Sequence, residues 1–106
     1  MRNEPASVKQ ENKYISQVHR LVIDELGDEN VAIALFGSMS IGTRHHGSDI
    51  DIGIVPKGNW NSGRLSFLRQ ILEDSNIPYK VDIVDLSKTS ESFKRHALAH
   101  AIWWRV

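Results

Sequence analysis

Three acidic side chains, Asp49, Asp51 and Asp82, stand in patterns where carboxylates do chemistry. Asp49 and Asp51 lie two apart in the alternating run Asp49–Val55, DIDIGIV. On a strand, residues two apart share a face with Cα atoms about 6.5–7 Å apart, so both carboxylates project one way and Ile50, Ile52 and Ile54 the other. Like charges held on one face repel and call for a cation. An oxygen-only donor pair suits Mg²⁺, which commonly combines one or two carboxylates with substrate phosphates. The run Lys80–Leu86, KVDIVDL, offers a third carboxylate. If Val81 and Ile83 face the core, Asp82 lies on the charged side, with Asp85 on the core side or at the strand end; the reverse parity buries Asp82. The mid-strand position favours Asp82, while Asp85 suits a cap before Ser87. Together the three acids make a two-metal site, with ions about 3.5–4 Å apart. One ion activates an attacking hydroxyl, and the other steadies a triphosphate and its pyrophosphate leaving group. Asp82 is then both a metal ligand and the proton acceptor.

The acids are preceded by a glycine- and serine-rich connection, Gly37–Asp51, GSMSIGTRHHGSDID. Gly37 lets the backbone approach a ligand where a side chain would collide. Exposed amide N–H groups in such a turn match phosphate oxygens, and Ser38 adds a hydroxyl donor. Gly42 permits the return toward the next strand.

The elements that must position these groups follow from periodicity. Val8, Ile15, Val18, Leu21, Val22 and Leu26 recur at helical spacing, predicting a helix over Ser7–Leu26 that Gly27 closes in a left-handed cap. Val31–Phe36, VAIALF, is a short continuous apolar run and predicts a strand covered on both faces. The second strand is Asp49–Val55, stopped by Pro56. After the polar loop Lys57–Gly63, Asn61 or Ser62 is placed to cap a helix carrying Leu65, Leu68, Ile71 and Leu72 and ending near Asn76. The third strand, Lys80–Leu86, precedes a helix over Ser87–Ala101 and a short extended end at Ile102–Val106. The implied fold class is α/β, with a small sheet packed on helices.

Gly37-Ser38, Gly42 and Ser48-Asp49-Ile50-Asp51-Ile52 reproduce the pattern GS-x(3)-G-x(n)-SD-x-D. On these residues the chain resembles the DNA polymerase β-like nucleotidyltransferases. Its short length and the later VDIVDL look most like their minimal, MNT-type members. The resemblance spans Val31–Leu86, about half the chain. It implies a small mixed β-sheet packed on helices, two Mg²⁺ ions, and transfer of a nucleoside monophosphate, AMP from ATP or its equivalent from another NTP. The acceptor is a protein or a small molecule. By the same resemblance, Gly37, Ser38, Gly42 and Ser48 bind the nucleotide, and Asp49, Asp51 and Asp82 are the catalytic metal ligands. Members of this size are often encoded beside a helical HEPN-type RNase. They act there as antitoxins that bind the toxin and in some cases adenylylate it. One residue departs from the pattern: Ile41 stands where an arginine usually precedes the second glycine. The missing guanidinium removes a charged phosphate donor of about 1.5–3 kcal/mol, for which Arg44, His45 and His46 are the substitutes nearby. This departure, with no recognisable acceptor-binding domain, keeps an alternative in view: a binding module that neutralises a HEPN-type partner by masking it.

Composition bounds these readings. The 106 residues suit one domain, 1–106, and the 41% apolar and 25% charged fractions are those of an ordinary soluble protein. With no cysteine, disulfides and thiolate metal sites are excluded. The polar N-terminus carries no secretory h-region, and no apolar run nears the ~20 residues that cross a bilayer, so a cytoplasmic protein without membrane contact is expected. Thirteen basic and thirteen acidic residues balance to zero, which disfavours direct nucleic-acid binding and permits homo-oligomers. His96 and His100, four apart, share a helix face only if the last helix runs through both; without a third ligand they read as solvated or partner-facing. At least one of Trp103 and Trp104 is expected in the core. An exposed tryptophan would suit a protein interface.

Overall fold

A computed structural model describes residues 6–37 and 49–106, with side chains from residue 13 onward. Helix α1 (Ala6–Leu26) leads into β1 (Val31–Phe36), followed by β2 (Ile50–Pro56), α2 (Arg64–Glu73) and β3 (Val81–Asp85). A 3₁₀ turn at Leu86–Lys88, α3 (Glu91–Leu98) and β4 (Ile102–Arg105) complete the described chain. The four strands form one mixed sheet in the order β3-β2-β1-β4. β1 runs antiparallel to β2 and β4, and β2 runs parallel to β3.

Strand alternation divides the apolar side chains between the two sheet faces. On one face Val31, Ile33 and Leu35 of β1, Ile50, Ile52 and Ile54 of β2, and Ile83 of β3 join Val18, Val22 and Leu26 of α1 and Leu65, Leu68 and Leu72 of α2. Each such side chain contributes about 1.5–3 kcal/mol by leaving water, so this layer is the main source of stability. The other face holds a smaller cluster of Phe36, Leu86 and Ala97, flanked by Val55, Val84, Leu98 and Ala101. β1 is buried along its whole length because helices cover both of its faces, as its uninterrupted apolar run requires. Gly53 makes the second layer possible. A Cβ there would meet Leu86 Cδ1 at 2.7 Å, so only a hydrogen lets the 3₁₀ turn settle on the sheet.

A charged clasp fixes the turn between α1 and β1. Arg64, at the start of α2, donates to Asp28 at 2.8 Å and Glu29 at 2.9 Å, and its Nε lies 3.5 Å from Glu25. The guanidinium hydrogen bonds hold the Asp28 and Glu29 carboxyls below their usual range. Arg105 of β4 donates to the backbone oxygen of Glu29 at 2.8 Å, tying the last strand to the same turn.

Four boundary expectations are corrected. Gly27 does not adopt a left-handed cap, since Gly37 alone among the described residues has positive φ; Gly27 N–H bonds Ile23 O at 2.8 Å and extends the helical turn. The N-cap of α2 is Gly63, without a side-chain cap; Asn61 instead accepts from Gly63 N–H at 3.1 Å. α2 ends at Glu73 with Asp74 as C-cap, short of Asn76. The helix expected over Ser87–Ala101 is two pieces, because two side chains each start a new turn. Asp85 accepts from the Ser87 N–H at 2.9 Å and begins the 3₁₀ turn, and Ser90 accepts from the Phe93 N–H at 3.0 Å and begins α3. The extended end is present as β4, paired with β1.

Of the tryptophans, Trp60 and Trp104 pack against the main core, with the Trp104 ring 4.7 Å from that of His19. Trp103 is exposed. Among the described residues no helix is long and apolar enough to cross a membrane.

Candidate active site

The sheet brings two of the expected acids into direct register. Asp51 is the second residue of β2 and Asp82 the second of β3, and the parallel ladder pairs them. Neighbouring strands lie about 4.8 Å apart, so carboxylates on paired residues of one face cannot avoid each other. Across the opposite ladder Asp51 pairs with Phe36, the last residue of β1. The pair therefore sits at the sheet end where β1 finishes and β2 and β3 begin, on the face that carries Phe36 and Val84. Asp82 takes this face because Val81, Ile83 and Asp85 take the other parity, with Ile83 in the main core. Asp85 is buried at 8% exposure and capped by the Ser87 amide and hydroxyl, the latter at 2.6 Å, so it has a structural role as expected.

Asp49 lies immediately before β2 and is half-buried. Its charge reaches Asp51. The Asp51 carboxyl is pushed above its ordinary range, first by desolvation, then by the charges of Asp82 and Asp49, against a smaller opposing pull from Lys80. Lys80 Nζ stands 3.9 Å from Asp82 Oδ1, with both side chains exposed to solvent. Among the described residues Lys80 is the one cation acting on Asp51, and its pull is smaller than the opposing effects of burial, Asp82 and Asp49. Among the described residues no three acidic or imidazole side chains converge closely enough to hold an ion between them. Thus the fold pairs Asp51 with Asp82 and keeps Asp49 within electrostatic reach. The donor set fits a hard divalent cation: it is all oxygen and mutually repulsive.

Gly37 borders the acids directly. Its φ of 80° is a conformation that favours glycine, and a Cβ there would fall on Asp51, with Cγ only 3.3 Å away. The missing side chain is what lets the turn after β1 close against the Asp51 carboxylate. Ser38, Gly42 and Ser48, together with Ile41, Arg44, His45 and His46, lie outside the described residues. His96 sits exposed on α3, whereas His100 lies beyond the helix end, so the two do not share a helix face.

Two neighbours of the site escaped the sequence reading. Lys80 was legible, since it lies two before Asp82 in an alternating run and so shares its side of the strand. Arg69 carried no such signal. Its Nη2 donates to Ile83 O at 2.9 Å along the outer edge of β3, a contact that exists only once α2 lies against that edge. Between α2 and β3 is a cavity of about 420 Å³ whose lining includes Asp82.

A small mixed sheet carrying adjacent carboxylates beside a glycine turn is the arrangement of a nucleotidyl-transfer domain. The family model for Polymerase beta, Nucleotidyltransferase matches residues 23–103, and the chain belongs to that family. Its matched span includes every described acid of the site. Among solved structures, a toxin-antitoxin complex with AMP-PNP is 29% identical over 84% of this chain and 70% of that one, with a TM-score of 0.65. A variant of the toxin-antitoxin MntA-HpeT is 32% identical over 88% of this chain and 69% of that one, with a TM-score of 0.60. The tri-AMPylated Shewanella oneidensis HEPN toxin in complex with MNT antitoxin, at 24% identity and a TM-score of 0.60 over 88% and 70% of the two chains, shares the fold. No curated protein matched.

Proposed function

We propose that residues 1–106 act as one minimal nucleotidyltransferase unit. It moves AMP from ATP onto a hydroxyl of a HEPN-type helical partner, and so serves as the antitoxin of that pair in the cytoplasm. The observation that carries this reading is the in-register pairing of Asp51 with Asp82 next to Gly37. Family membership supports the reaction class. The likeness to a toxin-antitoxin complex with AMP-PNP supports both the nucleotide and the partner.

In this reading Asp49, Asp51 and Asp82 hold Mg²⁺, and Gly37, Ser38, Gly42 and Ser48 receive the triphosphate. Bound there, the metal would neutralise the carboxylates and the charge that develops on the phosphates. Asp82, on the outermost of the two acidic strands, takes the proton from the acceptor hydroxyl. The freed oxygen forms a bond to the α-phosphorus, the α–β phosphoanhydride breaks, and pyrophosphate leaves with the bonding electron pair. Gly37 serves by having no side chain, since any Cβ there displaces the Asp51 carboxylate.

A second reading, neutralisation by masking, is favoured by Ile41 and by the exposed aromatic groups Phe93 and Trp103, each 43% accessible. One experiment separates the two. The chain and its candidate HEPN partner are co-expressed, and label from ATP carrying a tagged α-phosphate is followed on the purified partner. Wild type transfers label, and the Asp49/Asp51 double asparagine variant transfers none while still binding the partner. Rescue of growth by that double variant would establish masking instead.

A further inference from the structure

The cavity of about 420 Å³ between α2 and the open edge of β3 belongs to the helix-covered face of the sheet. Its floor is the margin of the main core: Leu72 of α2, then Ile77, Tyr79 and Val81 along the approach to β3 and its start. Asp82 has the other parity, so its carboxylate stands across the sheet in the charged row with Asp51. The rim carries two opposite charges. Arg69 and Glu73 lie one turn apart on α2, a spacing at which such side chains can meet. Here they do not. Arg69 turns instead to the edge of β3, where Nη2 donates to Ile83 O at 2.9 Å, and no ion pair among the described residues includes either side chain. That bond fixes the guanidinium at the cavity and leaves the other donors of its fork for a ligand. The remaining charged groups of the lining, Lys80 and Asp82, face each other at 3.9 Å.

We infer that this cavity is a second ligand site, for a free amino acid with an apolar side chain. The ligand's carboxylate lies on Arg69, its ammonium on Glu73, and its side chain on Leu72, Ile77 and Val81. The charge pattern selects this class. A simple carboxylic acid leaves Glu73 beside a like charge, an amine does the same to Arg69, and inorganic phosphate leaves the apolar floor unfilled. A zwitterion, with both charges on neighbouring atoms, meets two rim groups whose Cβ atoms stand about 5–6 Å apart at this spacing. Ligand sites run from ~300 to ~1,000 Å³, and this volume falls at the small end, as an amino acid requires. Both rim groups are exposed, so the charges choose the ligand while the apolar floor supplies most of the affinity. The site stands apart from nucleotidyl transfer, since neither metal nor nucleotide takes part and the sheet separates it from the acids.

The test is a titration of ¹⁵N-labelled protein, without metal or nucleotide, followed by amide chemical shifts. The probes are phenylalanine, leucine, 3-phenylpropionate, phenethylamine and inorganic phosphate. Phenylalanine and leucine are expected to shift the amides of Leu72, Ile77 and Val81 saturably and to leave that of Ala97, on α3, in place. The acid and the amine, each lacking one charge of phenylalanine, should bind about five-fold more weakly or worse, and phosphate should move none of the cavity amides. Arg69→Gln and Glu73→Gln should each weaken phenylalanine by about five-fold or more. Glu73 is exposed and forms no ion pair among the described residues, so its amide variant reads ligand binding without a cost to folding. Arg95→Gln, an exposed charge loss on α3 outside the cavity, and Asp51→Asn should both bind phenylalanine as wild type does. The inference is overturned by cavity amides that neither amino acid moves, or by 3-phenylpropionate binding as tightly as phenylalanine. An unchanged affinity in Glu73→Gln overturns it too, as does loss of phenylalanine binding in Asp51→Asn, which would put the ligand at the acids.

Discussion

Replacing Asp51 by asparagine is expected to make the metal-free protein more stable while removing its activity. The pairing of Asp51 with Asp82 across a parallel ladder puts two carboxylates on neighbouring strands about 4.8 Å apart. The Asp82 side chain is 41% exposed, so an effective dielectric well above that of the interior applies. At an effective dielectric of ~50, Coulomb's law gives about 1 kcal/mol of repulsion, to which Asp49 adds and from which Lys80 subtracts. Burial of the ionised Asp51 adds a cost of the same sign. The amide keeps the shape and one acceptor oxygen but drops the charge. In EDTA at neutral pH and low salt, Asp51→Asn should therefore gain about 1 kcal/mol. For a domain of this size that raises the midpoint of thermal unfolding by roughly 4–8 °C. The gain should shrink at 1 M salt, where the screening length falls to about 3 Å. Adding Mg²⁺ and ATP reverses the order. Ligand at about a hundred times its dissociation constant stabilises wild type by roughly 2.7 kcal/mol, and the variant gains little. Urea and thermal unfolding with and without EDTA read both effects. An asparagine variant that is equally or less stable in EDTA would show that the carboxylates are not in electrostatic conflict, and the metal-site reasoning would fail with it.

Two further outcomes follow from the same coordinates. Gly37→Ala forces an L-residue into φ of 80° and pushes a methyl group onto the Asp51 carboxylate. A loss of about 1–2 kcal/mol in urea unfolding is expected from the left-handed backbone, together with loss of Mg²⁺·ATP binding by calorimetry. The Arg64 clasp lowers the carboxyls of Asp28 and Glu29 from 3.8 and 4.5, so its stabilisation is complete above those values and is lost as pH falls through the lower folded-state values. Arg64→Ala should accordingly flatten the acid limb of the stability curve below about pH 5, followed as urea midpoints against pH, with a smaller difference from wild type at high salt.

Much of the fold was legible because burial imposes periodicity on the chain. The unbroken VAIALF marks β1 as covered on both sides, and the alternation in DIDIGIV and KVDIVDL separates core isoleucines from outward acids. Alternation left two parities open for β3, since a strand cannot present both Asp82 and Asp85 on one face; the mid-strand position favoured Asp82, and the sheet pairs Asp82 with Asp51 while Asp85 is buried. The misread boundaries share one cause: whether Ser90 caps a new turn, or Gly27 turns left-handed, depends on where the chain goes next.

What the chain determined alone was the identity and parity of its chemical groups, because side-chain direction along a strand follows from counting by twos. Which strands neighbour each other is a different matter. Only the packed sheet sets β2 beside β3 in parallel, and that long-range choice puts Asp51 next to Asp82 across a sequence gap filled by α2. It also leaves β3 at an edge, where Arg69 and Lys80 can border the acids and a cavity can open. Contacts between distant segments arise from the joint burial of many apolar side chains on both sheet faces, and no local pattern encodes them.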